Sequence, residues 1–543
     1  MEGNYFPSHM KSEKENFVTG HTGTTIEEIL LVCLAPTFVG LFLFHGIKNI
    51  LLLSERKCNN EQCVTEDDFG KGNAHDNDEI PEKNRIQQEQ HSMFGILVFV
   101  ESLVLLLPIT ICQTDLLYPW GIRLLCVECI LALVLYFHNH RKGRLLYVAR
   151  SVQDVSSPQR SELPFLTAYR STVSFLTFVA ILAVDFHFFP RRFAKTEVTG
   201  YGLMDLGAGS FVVSGGLVSQ FARNKSKSNS SSLDRMGGRM YEVMKKVVFH
   251  CFPLIVMGIV RLITTKGIEY QEHVSEYGVH WNFFFTISFV TIFSSLVRTA
   301  PVLNDELVPV LLLIIYQYFL SHCGIQEYIE NAPRFNEGTN GVMSSLCNFF
   351  AANREGILGI MGYLVLFLSS ESIGQYCLWD RSLIDSEPKP GNRSDRTIYC
   401  RRGIRLLLVS LFLWVLHWLT TSVLGIPVSR RSTNASFISW TLAHNITTLF
   451  FIHTAFQLGN MQFMSGRILS QNTPIFAAVN RHGLVVFILA NLMTGVVNLS
   501  VDTMKATRGE AILIIFLYLC LVGAVALIID YRCYRRNNKI KND

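Results

Sequence analysis

The chain alternates apolar runs of about twenty residues with shorter polar segments. A run of that length crosses the roughly 30 Å hydrocarbon core of a bilayer as a helix. The pattern therefore predicts an all-α polytopic membrane protein with about thirteen transmembrane helices. The predicted spans are about 28–53, 93–112, 116–138, 166–189, 202–222, 244–263, 281–303, 306–322, 356–378, 403–425, 437–459, 483–503 and 510–530.

Composition supports this class and excludes others. The 543 residues are 49% hydrophobic and 17% charged, whereas an average soluble domain is about 25% charged. There is too little charge to cover a soluble surface of this size, so a water-soluble protein and a large soluble domain on a single anchor are both excluded. The net charge of +5 is spread over several loops, which gives no support for a nucleic-acid partner.

The distribution of Lys and Arg predicts the orientation. Basic residues concentrate in the loops 139–165, 223–243 and 379–402 and in the tail 531–543. Such loops face the cytoplasm by the positive-inside rule, and the polar loop 54–92 shares that side. The sequence thus predicts a lumenal N-terminal segment at 1–27, one multi-span membrane domain at 28–530 and a cytoplasmic basic tail at 531–543.

The last five residues of the tail suggest a cellular location. Lys539 and Lys541 stand fifth and third from the end. This K-x-K-x-x arrangement resembles a signal that returns membrane proteins to the endoplasmic reticulum and is recognised only from the cytoplasm. It agrees with the predicted orientation.

Four polar segments fall at the predicted lumenal ends of spans, namely 185–195, 269–282, 352–356 and 428–431. Asp185 is expected in the last turn of an apolar helix. An ionised group costs about 2.5–3.5 kcal/mol at a helix centre and less near the interface, so Asp185 is expected to face the protein interior or a water-filled cleft. Pro190 ends the helix and could turn the chain so that Lys195 approaches Asp185.

The residue types at 185–195 suggest a chemistry. A carboxylate could remove a proton from an alcohol, and an ammonium group could stabilise an oxyanion. An interfacial ion pair with snorkelling basic side chains is the alternative. Because Arg191, Arg192 and Lys195 are basic on the side that the charge rule leaves poor in Lys and Arg, they favour an anionic lumenal ligand.

The other polar segments supply further candidates. The 269–282 segment could contact a polyhydroxylated headgroup or form an aromatic interface belt, and its single His–carboxylate spacing does not define a metal site. Arg354 beside Glu355 fits either a cap with an ion pair or an anion contact at a helix start. The candidate substrate-binding residues in these segments are His273, Glu276, His280, Trp281, Asn282, Asn353, Arg354 and Arg430.

Isolated polar residues within spans should bond to neighbouring helices, since each is costly in lipid unless paired. They are Glu101, Glu128, Glu371, His444, Asn445, Asn491 and Asn498. The fifth span is rich in glycine, which suits close helix packing.

Several ordered blocks resemble a known family. They are N-F-V-T-G at 16–20 with G-T-T at 23–25, L-T-A-Y-R at 166–170, A-V-D-F-x-x-F-P-R-R-F-A-K at 183–195, M-D-L-G at 204–207, E-Y-Q-E-H-V-S-E-Y-G-V-H-W-N at 269–282, A-N-R-E-G at 352–356, V-S-R-R at 428–431, A-N at 490–491 and T-G-V-V-N-L-S at 494–500. In this order they resemble the inositol acyltransferases of glycosylphosphatidylinositol (GPI) anchor biosynthesis, which include the fungal wall-transfer acyltransferase and its animal PIG-W counterparts.

The resemblance implies an activity. Enzymes of this family move a fatty acyl group, typically palmitoyl, from acyl-coenzyme A to the inositol 2-hydroxyl of glucosaminyl-phosphatidylinositol on the lumenal side of the endoplasmic reticulum. Carried over by position, Asp185 would be the base and Lys195 would stabilise charge developing at the thioester. Arg191, Arg192 and His273 would surround the substrate phosphate and glycan. No bound cofactor or metal is implied, because acyl-coenzyme A already carries the activated acyl group; the implied partners are these two substrates and membrane lipids.

Three alternatives remain open on the residues. A histidine-centred lipid O-acyltransferase would rest on His444. A lumenal glycosyltransferase would need a larger first lumenal loop than the few residues around Gln113 and Asp115. A multi-span transporter would use its intramembrane charges for coupling and should show inverted repeats.

The orientation can be tested with an inserted glycosylation tag. A tag placed after Lys195 should be modified because the predicted topology exposes that segment to the lumen, whereas the same tag appended after Asp543 should not. Gel mobility before and after glycosidase treatment measures this. Modification of the C-terminal tag alone would reverse the predicted topology.

Overall fold

Helices make up nearly all the regular structure in a computed structural model of the chain. The structure describes residues 20–66, 92–146, 163–223, 236–267, 274–299, 306–334, 342–380, 395–461 and 473–542. Within these ranges the extended pairing is limited to isolated bridges that join Gly23 and Thr24 to Tyr201. The all-α class predicted from hydropathy is confirmed for the described part of the chain.

The described helices follow the predicted apolar runs. In chain order they are α1 (Ile26–Glu66), α2 (Ser92–Cys112), α3 (Ile122–Leu146), α4 (Pro164–Ala183), α5 (Leu203–Leu217), α6 (Gln220–Arg223), α7 (Met236–Gly267), α8 (Val274–Tyr277), α9 (Phe283–Thr299), α10 (Val308–His322), α11 (Ile325–Asn331), α12 (Val342–Ala352), α13 (Arg354–Cys377), α14 (Asp395–Trp418), α15 (Ala435–Met461), α16 (Pro474–Arg481), α17 (Gly483–Ser500) and α18 (Arg508–Asn542).

These elements divide into two compact units. Unit 1 comprises Met1–Ile26 and Arg191–Thr447, and unit 2 comprises Glu27–Pro190 and Thr448–Asp543. Helices α5 to α14 lie in unit 1, whereas α1 to α4 and α16 to α18 lie in unit 2. The division falls after Thr447, within helix α15, so this helix contributes residues to both units.

Local sequence explains several helix ends. Pro164, Pro309 and Pro474 occupy the first turns of α4, α10 and α16, where a missing N–H costs nothing and the fixed φ suits a helix. Gly324 adopts a φ of 69° between α10 and α11, and these two helices bend by 65°. A left-handed glycine at this point lets the chain turn sharply between the two helices.

The number of spans is smaller than predicted when only helices of full length are counted. Among the described residues, ten helices are long and apolar enough to cross a membrane, and the bent pair α10–α11 raises the number to eleven. Helix α5 has 15 residues and α9 has 17, so they measure about 22 and 25 Å and fall short of the hydrocarbon core. If α5 and α9 were also counted as spans, eleven would become thirteen. The count of thirteen and the orientation of the termini stay predictions.

Unit 1 packs through the glycines of α5. A Cβ at Gly216 would lie 2.7 Å from the Phe367 carbonyl oxygen and from Ser370 Cβ on α13, and one at Gly209 would lie 2.6 Å from Thr441 Cγ2 on α15. Only glycine permits such backbone approach. The expectation that small residues of the fifth span allow close packing is confirmed.

Unit 2 is held by a buried carboxylate on α2. The Glu101 oxygens accept hydrogen bonds from the backbone N–H groups of Ile475 and Phe476, at 2.8 and 2.9 Å. These are donors of the first turn of α16 that no helical carbonyl can satisfy. Ser171 on α4 donates to the Phe476 carbonyl at 2.5 Å, and the Phe175 and Phe476 rings lie 5.1 Å apart.

Glu371, Asn445 and Asn491, which also lie within predicted spans, behave in two ways. Glu371 on α13 pairs with Arg298 on α9 at 3.1 Å, which confirms bonding between helices, as does Glu101. Asn445 and Asn491 instead donate to the carbonyl one turn earlier in their own helices. An amide can satisfy a donor locally, but a carboxylate cannot, because a helix has no unpaired N–H at its centre.

The close approach at α5 gives a matched stability test. Gly216→Ala should destabilise the protein by about 1–3 kcal/mol, because its methyl group has no room against the α13 backbone. Gly215→Ala should be tolerated, since a Cβ there would lie 3.4 Å from a Phe367 ring carbon. Thermal unfolding of both variants in detergent measures the difference. Equal midpoints would contradict the close approach.

Candidate functional site

Five residues of unit 1 form a closed chain of polar contacts, which we call the polar ring. Lys195 Nζ pairs with Glu276 Oε1. Arg430 Nη2 lies 4.0 Å from the same oxygen, and its Nε lies 2.6 Å from Asp205 Oδ1. Asp205 Oδ2 accepts hydrogen bonds from the Thr196 N–H at 3.0 Å and from the Thr196 hydroxyl at 2.7 Å. Thr196 follows Lys195 in the chain, so the ring closes.

Burial within the polar ring is graded. The side chains of Asp205 and Arg430 are 1% and 6% exposed, whereas those of Glu276 and Lys195 are 15% and 31% exposed. Burial alone lowers the pKa of the Arg430 guanidinium, but the negative charges of Asp205 and Glu276 outweigh burial and hold that pKa above its ordinary value. The inner pair is therefore a fixed ion pair, and the Lys195 ammonium is the charged group of the ring with most access to a ligand.

The start of α5 explains how Asp205 reaches Thr196. Gly202 precedes the helix in extended conformation, and the Asp205 N–H donates to the Gly202 carbonyl. A Cβ at Gly202 would collide with the Asp205 carboxylate and lie 2.7 Å from the Ala194 carbonyl oxygen. A carboxylate in a first turn is also favoured by the helix dipole.

The segment after Lys195 is tied to two distant parts of unit 1. Residues 20–24 and residues 428–429 both form hydrogen bonds with it. The contacts are Glu197 N–H to the His21 carbonyl at 3.1 Å, the Ser429 hydroxyl to the Val198 carbonyl at 3.0 Å, Gly200 N–H to the Val428 carbonyl at 2.9 Å and Thr24 N–H to the Tyr201 carbonyl at 2.7 Å. Lys195 thus precedes a segment with little freedom to move.

A second charged group joins α11, α13 and the 428–434 turn. Glu355 Oε1 lies 2.6 Å from Arg334 Nη2 and 3.2 Å from Arg431 Nη2. Arg354 lies 3.9 Å from the same carboxylate and donates to the carbonyls of Ile329 and Pro333. Of the two interpretations left open for Arg354 and Glu355, the structure displays the ion pair, and an anion contact stays a prediction.

Asn353 and His280 link the 274–282 segment to the beginning of α13. Asn353 Oδ1 accepts from the His280 N–H at 2.7 Å, and the Val279 N–H donates to the Ala352 carbonyl at 3.0 Å. The His280 ring stacks on Phe349, with centroids 6.2 Å apart. These contacts fix the loop that carries Glu276.

Trp281 and Asn282 build the beginning of α9. The Trp281 indole donates to the Thr286 hydroxyl at 3.0 Å, and the Asn282 amide donates to the Gly258 carbonyl at 2.9 Å while its oxygen accepts from the Phe284 N–H. The described contacts of these two residues are structural. Their contact with a substrate, like that of Asn353 and His280, stays a prediction.

Asp185 belongs to unit 2. Helix α4 ends at Ala183, so Asp185 lies in the turn beyond it and not in its last turn as predicted. Helix ends predicted from sequence carry an error of a few residues. The Asn498 amide on α17 donates to Asp185 Oδ2 at 2.7 Å. The Asp115 N–H donates to the Phe188 carbonyl at 3.2 Å, and Asp115 pairs with Arg508.

The two candidate catalytic residues therefore lie in different units, each with its own partners. The approach of Lys195 to Asp185 across Pro190 stays a prediction. Arg191 and Arg192 lie in a short 3₁₀ turn that ends at Phe193, and the Arg192 guanidinium lies 5.0 Å from the Phe193 ring centroid. His273 lies outside the described residues. Within the described part of the chain, no group of three or more His, Cys, Asp or Glu is arranged to hold a metal ion.

Sequence reasoning missed Asp205, Thr196 and Arg431 as site residues. Asp205 carried a usable signal, since it is a carboxylate in a glycine-rich apolar run where an unpaired charge would be costly. Arg431 lay within the 428–431 segment already singled out, although it was not named as a site residue. Thr196 carried no signal, because a hydroxyl near a helix end is common.

The long apolar helices define a polytopic membrane protein. Buried charged groups near helix ends form a polar site in it. The GWT1 family model matches residues 10–529, and the chain belongs to the GWT1 family.

Three curated relatives that extend over most of the chain are each called GPI-anchored wall transfer protein 1. The Yarrowia lipolytica protein is 35% identical over 390 residues, which is 70% of this chain and 74% of the relative. The Aspergillus oryzae protein is 36% identical over 396 residues, covering 68% and 72%. The Emericella nidulans protein is 34% identical over 429 residues, covering 75% and 81%. The resemblance seen in the ordered sequence blocks is thereby confirmed at the level of the family.

The inner ion pair can be tested by a double-mutant cycle. Asp205→Ala should destabilise the protein by about 3–5 kcal/mol, because it leaves the Arg430 charge buried without its partner. Adding Arg430→Met should recover part of that loss, since an apolar side chain tolerates the buried position. Thermal unfolding in detergent measures both.

A matched control is the exposed pair of Asp502 and Lys505, 3.0 Å apart. Asp502→Ala should change the free energy of unfolding by about 1 kcal/mol at most. If the loss of unfolding free energy in the double variant equals the sum of the losses in Asp205→Ala and Arg430→Met alone, the two charges do not depend on each other.

Proposed function

We propose that this protein takes part in GPI-anchor biosynthesis as an acyltransferase of the endoplasmic reticulum membrane. The reaction moves a fatty acyl group, typically palmitoyl, from acyl-coenzyme A to the inositol 2-hydroxyl of glucosaminyl-phosphatidylinositol. Membership of the GWT1 family over residues 10–529 carries the proposal. The names of the curated relatives support the pathway, and the K-x-K-x-x tail supports the location.

The proposed chemistry needs a base and an oxyanion stabiliser. The inositol oxygen attacks the thioester carbonyl carbon while its proton passes to a base. The new C–O bond forms, the C–S bond breaks and coenzyme A leaves as the thiol after taking up a proton. No metal or resident cofactor enters this balance.

Asp185 is the proposed base. Its carboxylate is half-buried, and the Asn498 amide holds Oδ2 at 2.7 Å. A hydrogen bond from a neutral amide fixes the direction of the carboxylate without neutralising it, which is what proton removal from an alcohol requires.

Lys195 is the proposed stabiliser of the tetrahedral oxyanion. Its ammonium is held by Glu276 in the polar ring and is the most exposed charge of that ring. An oriented ammonium costs little reorganisation when negative charge develops nearby. Arg191, Arg192 and His273 are proposed to contact the phosphate and glycan of the lipid substrate.

Activity measurements with purified protein test this assignment. Asp185→Asn should lower kcat by about 10²–10⁴-fold because the base is lost. Lys195→Ala should lower it by about 10²–10³-fold because one oxyanion contact is lost. The assay supplies acyl-coenzyme A and a glucosaminyl-phosphatidylinositol analogue, and quantifies the acylated product by mass spectrometry.

Two controls separate the possible failures. Asp502→Asn alters an exposed carboxylate of unit 2 and should retain wild-type activity. His444→Ala should retain measurable activity; if it alone abolishes transfer while Asp185→Asn is active, the histidine-centred mechanism is correct. A wild-type protein that makes no acyl-inositol product would refute the proposed function, whereas activity in both Asp185→Asn and Lys195→Ala would refute only the site.

A further inference from the structure

We infer that Asp205 is a positioning residue for Lys195, which it controls through Thr196 and Arg430 without contacting the substrate. This inference rests on the proposed function, because positioning refers to the acyl-transfer step. It depends only on contacts within unit 1.

One oxygen of Asp205 controls the main chain next to Lys195. Oδ2 accepts from both the N–H and the hydroxyl of Thr196, at 3.0 and 2.7 Å. Two bonds from one oxygen to one residue fix the peptide that joins Lys195 to Thr196. The direction in which the Lys195 side chain leaves the backbone is thereby set.

The other oxygen of Asp205 acts on the ammonium end of the Lys195 side chain through Arg430 and Glu276. Oδ1 binds Arg430 Nε at 2.6 Å. Arg430 Nη2 lies 4.0 Å from the Glu276 oxygen that pairs with Lys195 Nζ. Arg430 thus attracts Glu276 across 4.0 Å, and Glu276 pairs with the ammonium. One carboxylate thus acts on the backbone beside Lys195 directly and on its ammonium group through two other side chains.

A direct role in proton transfer does not fit Asp205. Its side chain is almost completely buried, and both of its oxygens are engaged with Thr196 and Arg430. A carboxylate without access to solvent or substrate cannot exchange a proton with a bound hydroxyl. Lys195, by contrast, keeps the access that contact with a thioester needs.

Another buried ion pair of unit 1 provides the comparison that separates positioning from stability. Arg298 and Glu371 lie 3.1 Å apart on α9 and α13, and both are as buried as Asp205 and Arg430. They pair within the helix bundle and are not members of the polar ring. Breaking this pair should cost stability, as breaking the inner pair of the ring does, but should leave kcat intact.

The test uses two substitutions at Thr196 in the full-length protein. Thr196→Val keeps the shape but removes the hydroxyl donor, so kcat should fall about tenfold while KM for acyl-coenzyme A changes by less than about twofold, since misplacement of a reacting group acts on the chemical step. Thr196→Ser restores the donor and should recover kcat to within about twofold of wild type.

Thr441→Val is the matched control. Among the described residues, the Thr441 hydroxyl is buried without a hydrogen-bond partner, so its removal should leave kcat unchanged and should not lower the unfolding midpoint. Asp205→Asn and Glu371→Gln extend the comparison to the two ion pairs. Asp205→Asn should lower kcat by about tenfold or more, and Glu371→Gln should keep wild-type kcat at temperatures where both variants remain folded.

Gly202→Ala supplies an independent route to the same contact, because its methyl group would displace the Asp205 carboxylate. It should reproduce the loss in kcat seen with Thr196→Val. Wild-type kcat in Thr196→Val and Gly202→Ala would overturn the inference, as would an equal loss in Glu371→Gln. If the wild-type protein makes no acylated product, the proposed function fails and this inference fails with it; if it does and the variants match it, only this inference fails.

Discussion

The buried ion pair between Asp205 and Arg430 is the constraint on which the rest of the site depends. Each charge would cost several kcal/mol if it were left alone in a buried environment, so neither is tolerated without the other. The two residues are separated by 225 positions in the chain. Their pairing brings the first turn of α5 to the 428–434 turn, and Glu276, Thr196 and Lys195 then take positions that this junction allows.

Hydrogen bonds and close packing hold the 428–434 turn, which carries Arg430. Thr433 has a φ of +46°, a left-handed conformation that a β-branched residue rarely adopts. It is held there by the Thr433 N–H and hydroxyl, which both donate to the Arg430 carbonyl, and by α13, where a Cβ at Gly362 would lie 2.7 Å from Thr433 Cβ. Strain of this kind persists only where the surroundings fix it, and it commonly accompanies a functional site.

The sequence predicts the helices well, because a long apolar run has no other stable state in a bilayer. A described helix lies at each predicted span. The sequence also predicts that four polar segments lie on one face of the membrane. The contacts of unit 1 join these segments, which contain Lys195, Glu276, Asn353 and Arg430. The sequence does not reveal which carboxylate pairs with which base, since that depends on residues hundreds of positions apart. For the same reason the sequence does not reveal that Asn353 and Asn282, whose contact with a substrate stays a prediction, accept hydrogen bonds from backbone N–H groups.

The most direct test of the whole account is to locate the acyl group on the product. Wild-type protein in lipid nanodiscs would be incubated with palmitoyl-coenzyme A and glucosaminyl-phosphatidylinositol that carries isotope in the inositol ring. Fragmentation of the product by mass spectrometry should give a labelled inositol fragment heavier by one palmitoyl group. Palmitate on the glucosamine nitrogen or the glycerol, or transport of the lipid without acylation, would contradict it.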